Sequence, residues 1–364
     1  MRLVWGVIDA VTTDRPELQR VVVHLDDGSA PGPAVVYPQL TGRCVAGDRV
    51  LCNTTAVDLG LGTGGDHFVV ARAGDGIAVD EPVDGHIMRL RYTPLQHTVT
   101  VAEEPASPAH AVMAEARSLD GMPVVCCGLH SQVGIVAAAI KHVAPWIRVA
   151  YVMTDEAALP LAVSRLVTAL LSVGLLDETV TCGQAFGGGV EAVNRHSALL
   201  AARHVTGADV AIISLGPGIV GTATPYGHGG VAQGEAINAS AALGGTPIAV
   251  LRVSFADPRP RHVPVSHQTL TALTGVALAR AIVAVPPLEA RQRALVDEAL
   301  AAAGVWEVHE RRSVPEVVLP GFRGVDVKTM GRGPEDDPAF FAAAAAAGRV
   351  AADEVLARRS NAPE

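Results

Sequence analysis

From Gly121 onward, unbroken apolar runs alternate with amphipathic stretches, and the alternation repeats. PVVCC leads through GLHSQ to VGIVAAAIKHV. IRVAYVM leads through TDEA to ALPLAVSRLVTALLSV. ETVTC leads through GQAFGGG to VEAVNRHSALLAARHV. ADVAIIS leads through a long glycine loop to VAQGEAINASAAL, and IAVLRV leads through SFADPRPRHVPVSH to QTLTALTGVALAR. A sixth strand, AIVAVP, precedes the helix PLEARQRALVDEALAAAG, and VPEVVL is a further strand candidate. Continuous rather than alternating apolar strands mark a parallel sheet covered by helices on both faces. The pattern predicts a doubly wound, mostly parallel three-layer α/β domain over 121–335, and an Ala-rich helix over 336–364 packs on it or on a neighbouring subunit.

Residues 1–105 follow a different grammar. LVWGVI, RVVVHL, PAVVYP, RVLCN and HFVVAR are short and rich in strand formers, and DDGS and VAGDRV are turns between them. HIMRLRYTPLQHTVTVAEE suggests another hairpin. The expectation is a small β-barrel or sandwich. Residues 106–120 form a linker with a short helix.

Composition narrows the class. Apolar residues make up 49% of the 364 and charged residues 18%, which suits a large buried core. A net charge of −9 with no basic run argues against a nucleic-acid partner. No signal peptide or membrane span is expected. Five cysteines, four of them in apolar strand-like runs, read as reduced thiols of a cytoplasmic protein. Adjacent Cys126 and Cys127 would face opposite sides of a strand. Low charge and the apolar tail helix favour a homo-oligomer.

In a doubly wound sheet, ligands bind beyond the carboxyl ends of the strands. Five loops there bring polar residues to one edge, and topology could place His130, Asp155, Asp257, His262 and His267 around one ligand. The fifth loop is the richest. Arg252, Arg259 and Arg261 can clamp a phosphate or carboxylate. Ser266 is placed to cap the following helix. His262, His267 and His130 are candidates for proton transfer or metal ligation, with Asp257 as the orienting partner. Ser254 and Thr222 add hydroxyls. The bland alternative is an Asp–Arg network that locks a Pro-bearing loop. Asp155 and Glu156 alternatively cap the helix that begins there.

Gly216, Gly218 and Gly221 have G-x-G-x-x-G spacing after a strand, which can cradle a phosphate. The same spacing at Gly60, Gly62 and Gly65, in the β-rich part, shows how little the pattern specifies. No acidic residue ends the next strand as a dinucleotide site requires. No nucleophile elbow, P-loop or closely spaced zinc pattern is present. A metal assembled from separate loops, such as His130, Asp155 and His262, stays open, and no cofactor is assigned.

The phrases RPELQRVVV, NTTAVDLGLGTGGDHFVV, LGPGIVGTATPYGHGG and SFADPRPRHVPVSHQTLTAL together resemble an uncharacterised bacterial family, domain of unknown function 3866. The resemblance spans roughly 1–330. It implies a cytoplasmic bacterial protein and transfers no catalytic residue. The expected function is binding of a small anionic molecule, with hydrolase or transferase chemistry as the default if the protein is an enzyme. The rivals are an NAD(P)-dependent oxidoreductase and a non-enzymatic sensor or scaffold.

Overall fold

The computed structural model describes residues 1–61, 65–74, 85–319 and 321–360. The chain divides into two compact units, residues 1–84 with 90–98, and residues 85–89 with 99–364.

The first unit is a closed five-stranded barrel. Its strands are β1 (Leu3–Asp14), β2 (Gln19–Leu25), β3 (Gly32–Val36), β4 (Arg49–Asn53) and β5 (His67–Arg72), in the order β1-β2-β3-β5-β4. The β3/β5 pair is parallel and the others are antiparallel. That is the Greek-key arrangement of OB-type barrels. Long β1 closes it, because its stretch Leu3–Val7 pairs with β4 and its stretch Gly6–Asp14 with β2, across two register shifts. Gly6 sits where both partners flank β1, and a Cβ there would come within 2.6 Å of the His24 carbonyl oxygen. Alternate residues, among them Val21, Val23 and Leu25, fill the interior. The described residues of this unit carry more carboxylates than guanidiniums.

Two three-residue strands, β6 (Ile87–Arg89) and β7 (His97–Val99), precede the second unit's sheet. That sheet contains β8 (Pro123–Cys126), β9 (Val149–Thr154), β10 (Glu178–Cys182), β11 (Val190–Ala192), β12 (Val210–Leu215), β13 (Thr246–Ala249), β14 (Ile282–Val285) and β15 (Glu310–Ser313). The order is β11-β10-β9-β12-β8-β13-β14-β15, and every pairing is parallel. Cys126 and Cys127 belong to different core clusters on the two faces, and all five cysteines are buried free thiols.

Two elements differ from the sequence reading. VEA, expected to begin a helix, is edge strand β11, and the helix starts at Arg195 behind an Asn194 capping box. The last strand is the charged ERRS rather than the apolar VPEVVL. β15 occupies a sheet edge, where charge blocks pairing with another chain, so the apolar criterion passed over it.

Helices Gln132–Val143 and Arg165–Ser172 pack on one face, and Arg195–His204, Ala232–Ala242 and Ala290–Ala302 on the other. The crossovers over the first face stop at β10. The rest of that face, above β8, β13 and β14, is covered by the last helix, Pro338–Ser360. Residues 361–364 of the expected tail lie outside the described residues. No described helix is long and apolar enough to cross a membrane.

β8 and β12 are neighbours, yet their exits run to opposite faces. β8 leads under the first face to β9, and β12 leads over the second to β13. Their carboxyl ends therefore part into a crevice, the switch point at which such sheets hold ligands.

Candidate functional site

The stretch after β13 borders this crevice. The chain stays buried through Val253, which bridges to Val265. The Ser254 amide donates to the Pro264 carbonyl (3.0 Å) and the Ser266 amide to the Arg252 carbonyl (2.9 Å). Residues 254–264 thus form a compact loop closed at its neck. The Ser254 hydroxyl accepts the amides of Ala256 and Asp257 and donates to Asp337 Oδ2 (2.7 Å), so it is a loop support rather than a ligand-facing group.

Asp257 lies at the centre of this loop. Arg259 grips it with two bonds, Nε to Oδ1 at 2.9 Å and Nη2 to Oδ2 at 2.8 Å. Arg252 reaches Oδ2 at 3.3 Å and Arg332 at 3.5 Å. Arg332 also donates to Asp337 at 3.2 Å. Asp257 was expected to orient a histidine, but its oxygens are taken by guanidiniums, which outbid a neutral imidazole for a buried carboxylate. The Arg259 hydrogen bonds hold its carboxyl well below the usual range. Burial pulls Arg252 down to about 10, with Arg259 and Arg332 adding repulsion against the pull of Asp257. Arg261 is exposed and makes no ion pair or hydrogen bond among the described residues. The cluster therefore holds Arg252, Arg259, Arg261 and Arg332 against Asp257 and Asp337.

His262 is buried and its Nδ1 lies 2.7 Å from Ser266 Oγ. That oxygen already accepts the Gln268 amide, as the cap of helix His267–Thr271. Burial first, then Arg252 and Arg259, push His262 down to about 3, so the ring is neutral near pH 7. His267 stands 5.4 Å from His262 and 5.3 Å from His228, ring to ring. Burial, then His228 and Arg261, lower its pKa too, and its Nε2 is buried without a partner.

These side chains wall a cavity of about 160 Å³. Arg252, Arg259, Arg261, His262, His267 and Gln268 form the polar side, and Leu129, Ile219, Val220, Ala223 and Met330 the apolar side, with Gly221 between. Met330 and Gly331 are the left-handed tip (φ 48° and 80°) of a tight hairpin closed by reciprocal bonds between Thr329 and Arg332. Arg332 ties that hairpin to Asp257, and Thr329 meets the Ser131 hydroxyl at 3.2 Å.

Other expected residues lie elsewhere. His130 has both nitrogens engaged, Nδ1 with the Tyr151 hydroxyl (3.0 Å) and Nε2 with Ser164 (2.8 Å), and burial lowers it to about 4. Asp155 accepts the Gln184 amide at 2.8 Å and holds the loop after β10, while Glu156 pairs with Arg195. Neither acts as a helix cap. Among the described residues no group of three His, Cys, Asp or Glu could hold a metal ion, so His130, Asp155 and His262 do not form such a group.

The glycine loop is not a dinucleotide turn. Gly216 is bare because a Cβ would strike the Ala158 carbonyl at 2.6 Å. Gly218 has φ +90°, and Thr222 spends its hydroxyl on Gly227 and Thr224. The helix that follows begins only at Ala232, well past Gly221, so its amides do not face the glycines. Of the three, only Gly221 borders the cavity. Gly62 of the second pattern lies outside the described residues.

Sequence reasoning missed Arg332, Asp337, Met330, His228 and Gln268. KTMGRG carries a Met-Gly turn and a lone arginine, and nothing local links it to a loop some 75 positions away.

Fold and site together define a protein of two units, a Greek-key barrel and a parallel α/β sheet with an arginine-lined cavity at its switch point. The chain belongs to the family described as protein of unknown function DUF3866, whose model matches residues 33–348. No curated protein and no solved structure matches it.

Proposed function

We propose that the protein binds a small anionic molecule in the cavity at the β8/β12 switch point. One observation carries this reading: Arg252, Arg259 and Arg332 already share Asp257 and Asp337, and a fourth guanidinium, Arg261 at the cavity wall, has no partner among the described residues. An unpaired guanidinium beside others at a cavity wall favours an anion there, because each bond it makes to one is charge-assisted. The Gln268 side-chain NH2, whose oxygen is taken by Arg252, supplies a further donor. The test is a thermal-shift and calorimetric titration with inorganic phosphate and with acetate, on the wild type and Arg261→Gln. Saturable stabilisation that Arg261→Gln loses supports the site. Equal shifts in both proteins refute it.

A second reading, a non-enzymatic sensor, is favoured by Asp257, which is bound to arginines and serves no histidine. Hydrolase or transferase chemistry would fall to His267, whose Nε2 has no protein partner. Release of p-nitrophenol from its phosphate ester, abolished in His267→Gln, would favour the enzyme. Binding without turnover would favour the sensor. The oxidoreductase reading lacks support, since the glycine loop does not present a helix terminus to a pyrophosphate.

A further inference from the structure

We propose that the occupant is a small phosphate monoester, its dianionic phosphate set among Arg252, Arg259 and Arg261 and its short carbon body against Leu129, Ile219 and Met330. This rests on the anion-binding reading above and narrows it to one chemical class.

Charge comes first. Four guanidiniums against two carboxylates leave two positive charges uncompensated. A carboxylate supplies one negative charge, whereas a phosphate monoester carries about two above its second pKa of about 6. Donor number agrees. Arg252, Arg259, Arg261 and the Gln268 side chain all line the cavity, and a phosphate offers them three acceptor oxygens where a carboxylate offers two.

Size is compatible. A cavity of about 160 Å³ has room for a phosphate and a short carbon body. The apolar side faces the body. Met330 is held there in a left-handed conformation (φ 48°), which is strained for a non-glycine residue. The Arg332 anchor to Asp257 keeps this side chain at the cavity although it is otherwise exposed.

The experiment is isothermal titration calorimetry of the full chain at pH 8 and low chloride, with propyl phosphate, butyrate and inorganic phosphate as probes. Propyl phosphate is expected to bind about tenfold or more tightly than butyrate, and Arg261→Gln to weaken it about tenfold, the loss of one charge-assisted bond. Met330→Asn, neutral and compatible with the left-handed backbone there, is expected to weaken propyl phosphate more than inorganic phosphate. Arg261 and Met330 are exposed, so both variants should keep the wild-type melting temperature. Butyrate binding as tightly as propyl phosphate, with Arg261→Gln reducing both, overturns the phosphate assignment and leaves the anion site standing. Inorganic phosphate binding as tightly as propyl phosphate overturns the role given to the carbon body. No binding by any probe overturns this proposal and the anion reading together.

Discussion

Asp257 concentrates the cost of the site in one side chain. Three guanidiniums converge on it, so its removal leaves buried positive charge unpaired. Asp257→Ala should lose about 3–5 kcal/mol of stability, the usual penalty for breaking a buried ion pair, read as a lower urea midpoint. If the cavity takes anions, added phosphate should recover part of that loss. A variant as stable as wild type would mean that the arginines are solvated rather than buried. His262 gives a pH signature. Its folded pKa, about 3, lies below the ordinary 6.5, so the unfolded chain takes up a proton that the native state refuses. Stability is therefore full above pH 6.5 and declines as pH falls toward 3. His130, lowered to about 4, acts in the same direction. The urea midpoint of His262→Gln should fall less steeply with pH across this window than that of wild type; parallel profiles would count against a neutral buried ring. At this scale the sequence was informative where residues are adjacent. Arg259, Arg261, His262 and His267 were legible as a cluster because one loop carries them. Their pairings were not, because Arg332 and Asp337 arrive from a distant hairpin. Likewise, Asp257 could not be told from a histidine partner without knowing which guanidiniums reach it.

Elements were legible where hydrophobicity alone decides them. The β8, β9, β10, β12, β13 and β14 runs are buried on both faces and read as strands at once. β11 and β15 are edge strands, and their polar composition hid them. The helix after Ser266 also departs from its sequence pattern. After His267–Thr271 the chain widens into a π turn, Ala272–Val276. Gly234 explains the fit. A Cβ there would meet the Ala272 carbonyl at 2.5 Å and Val276 Cβ at 2.7 Å, so the facing helix approaches the widened turn only because position 234 is bare. Asn238 fastens the far end, donating to the Val276 carbonyl and accepting the amides of Leu278 and Ala279. Gly234→Val should cost about 1–3 kcal/mol through overpacking and should shift His267 with the segment that carries it. Chemical denaturation measures the first effect, and weaker propyl phosphate binding the second. A variant with unchanged stability would show that the π turn yields freely.

On the scale of the molecule, the last helix finishes a layer that the crossovers leave open. Phe340, Phe341 and the alanines from Ala344 to Ala347 are buried against the first face. At Gly348 a Cβ would meet the Val136 carbonyl at 2.6 Å, so this helix and Gln132–Val143 touch nearly backbone to backbone. The apolar tail was one reason to expect a homo-oligomer. Its apolar face is used within the chain, so that reason falls away and any self-association must use other surfaces. Gly348→Leu should destabilise the sheet unit and lower its melting temperature, while the same change at exposed Gly321 should have little effect. Equal behaviour of the two would mean that the helix docks loosely.

This arrangement also has a consequence in time. During synthesis the chain emerges from its amino end, and the strands of the parallel sheet are all made before residue 338 leaves the ribosome. Until then, the face above β8, β13 and β14 has no cover and stays open to water or to any apolar surface nearby. A ribosome stalled in the KTMGRG segment would therefore hold a nearly complete sheet with an adhesive side, a natural client for chaperones that recognise such surfaces.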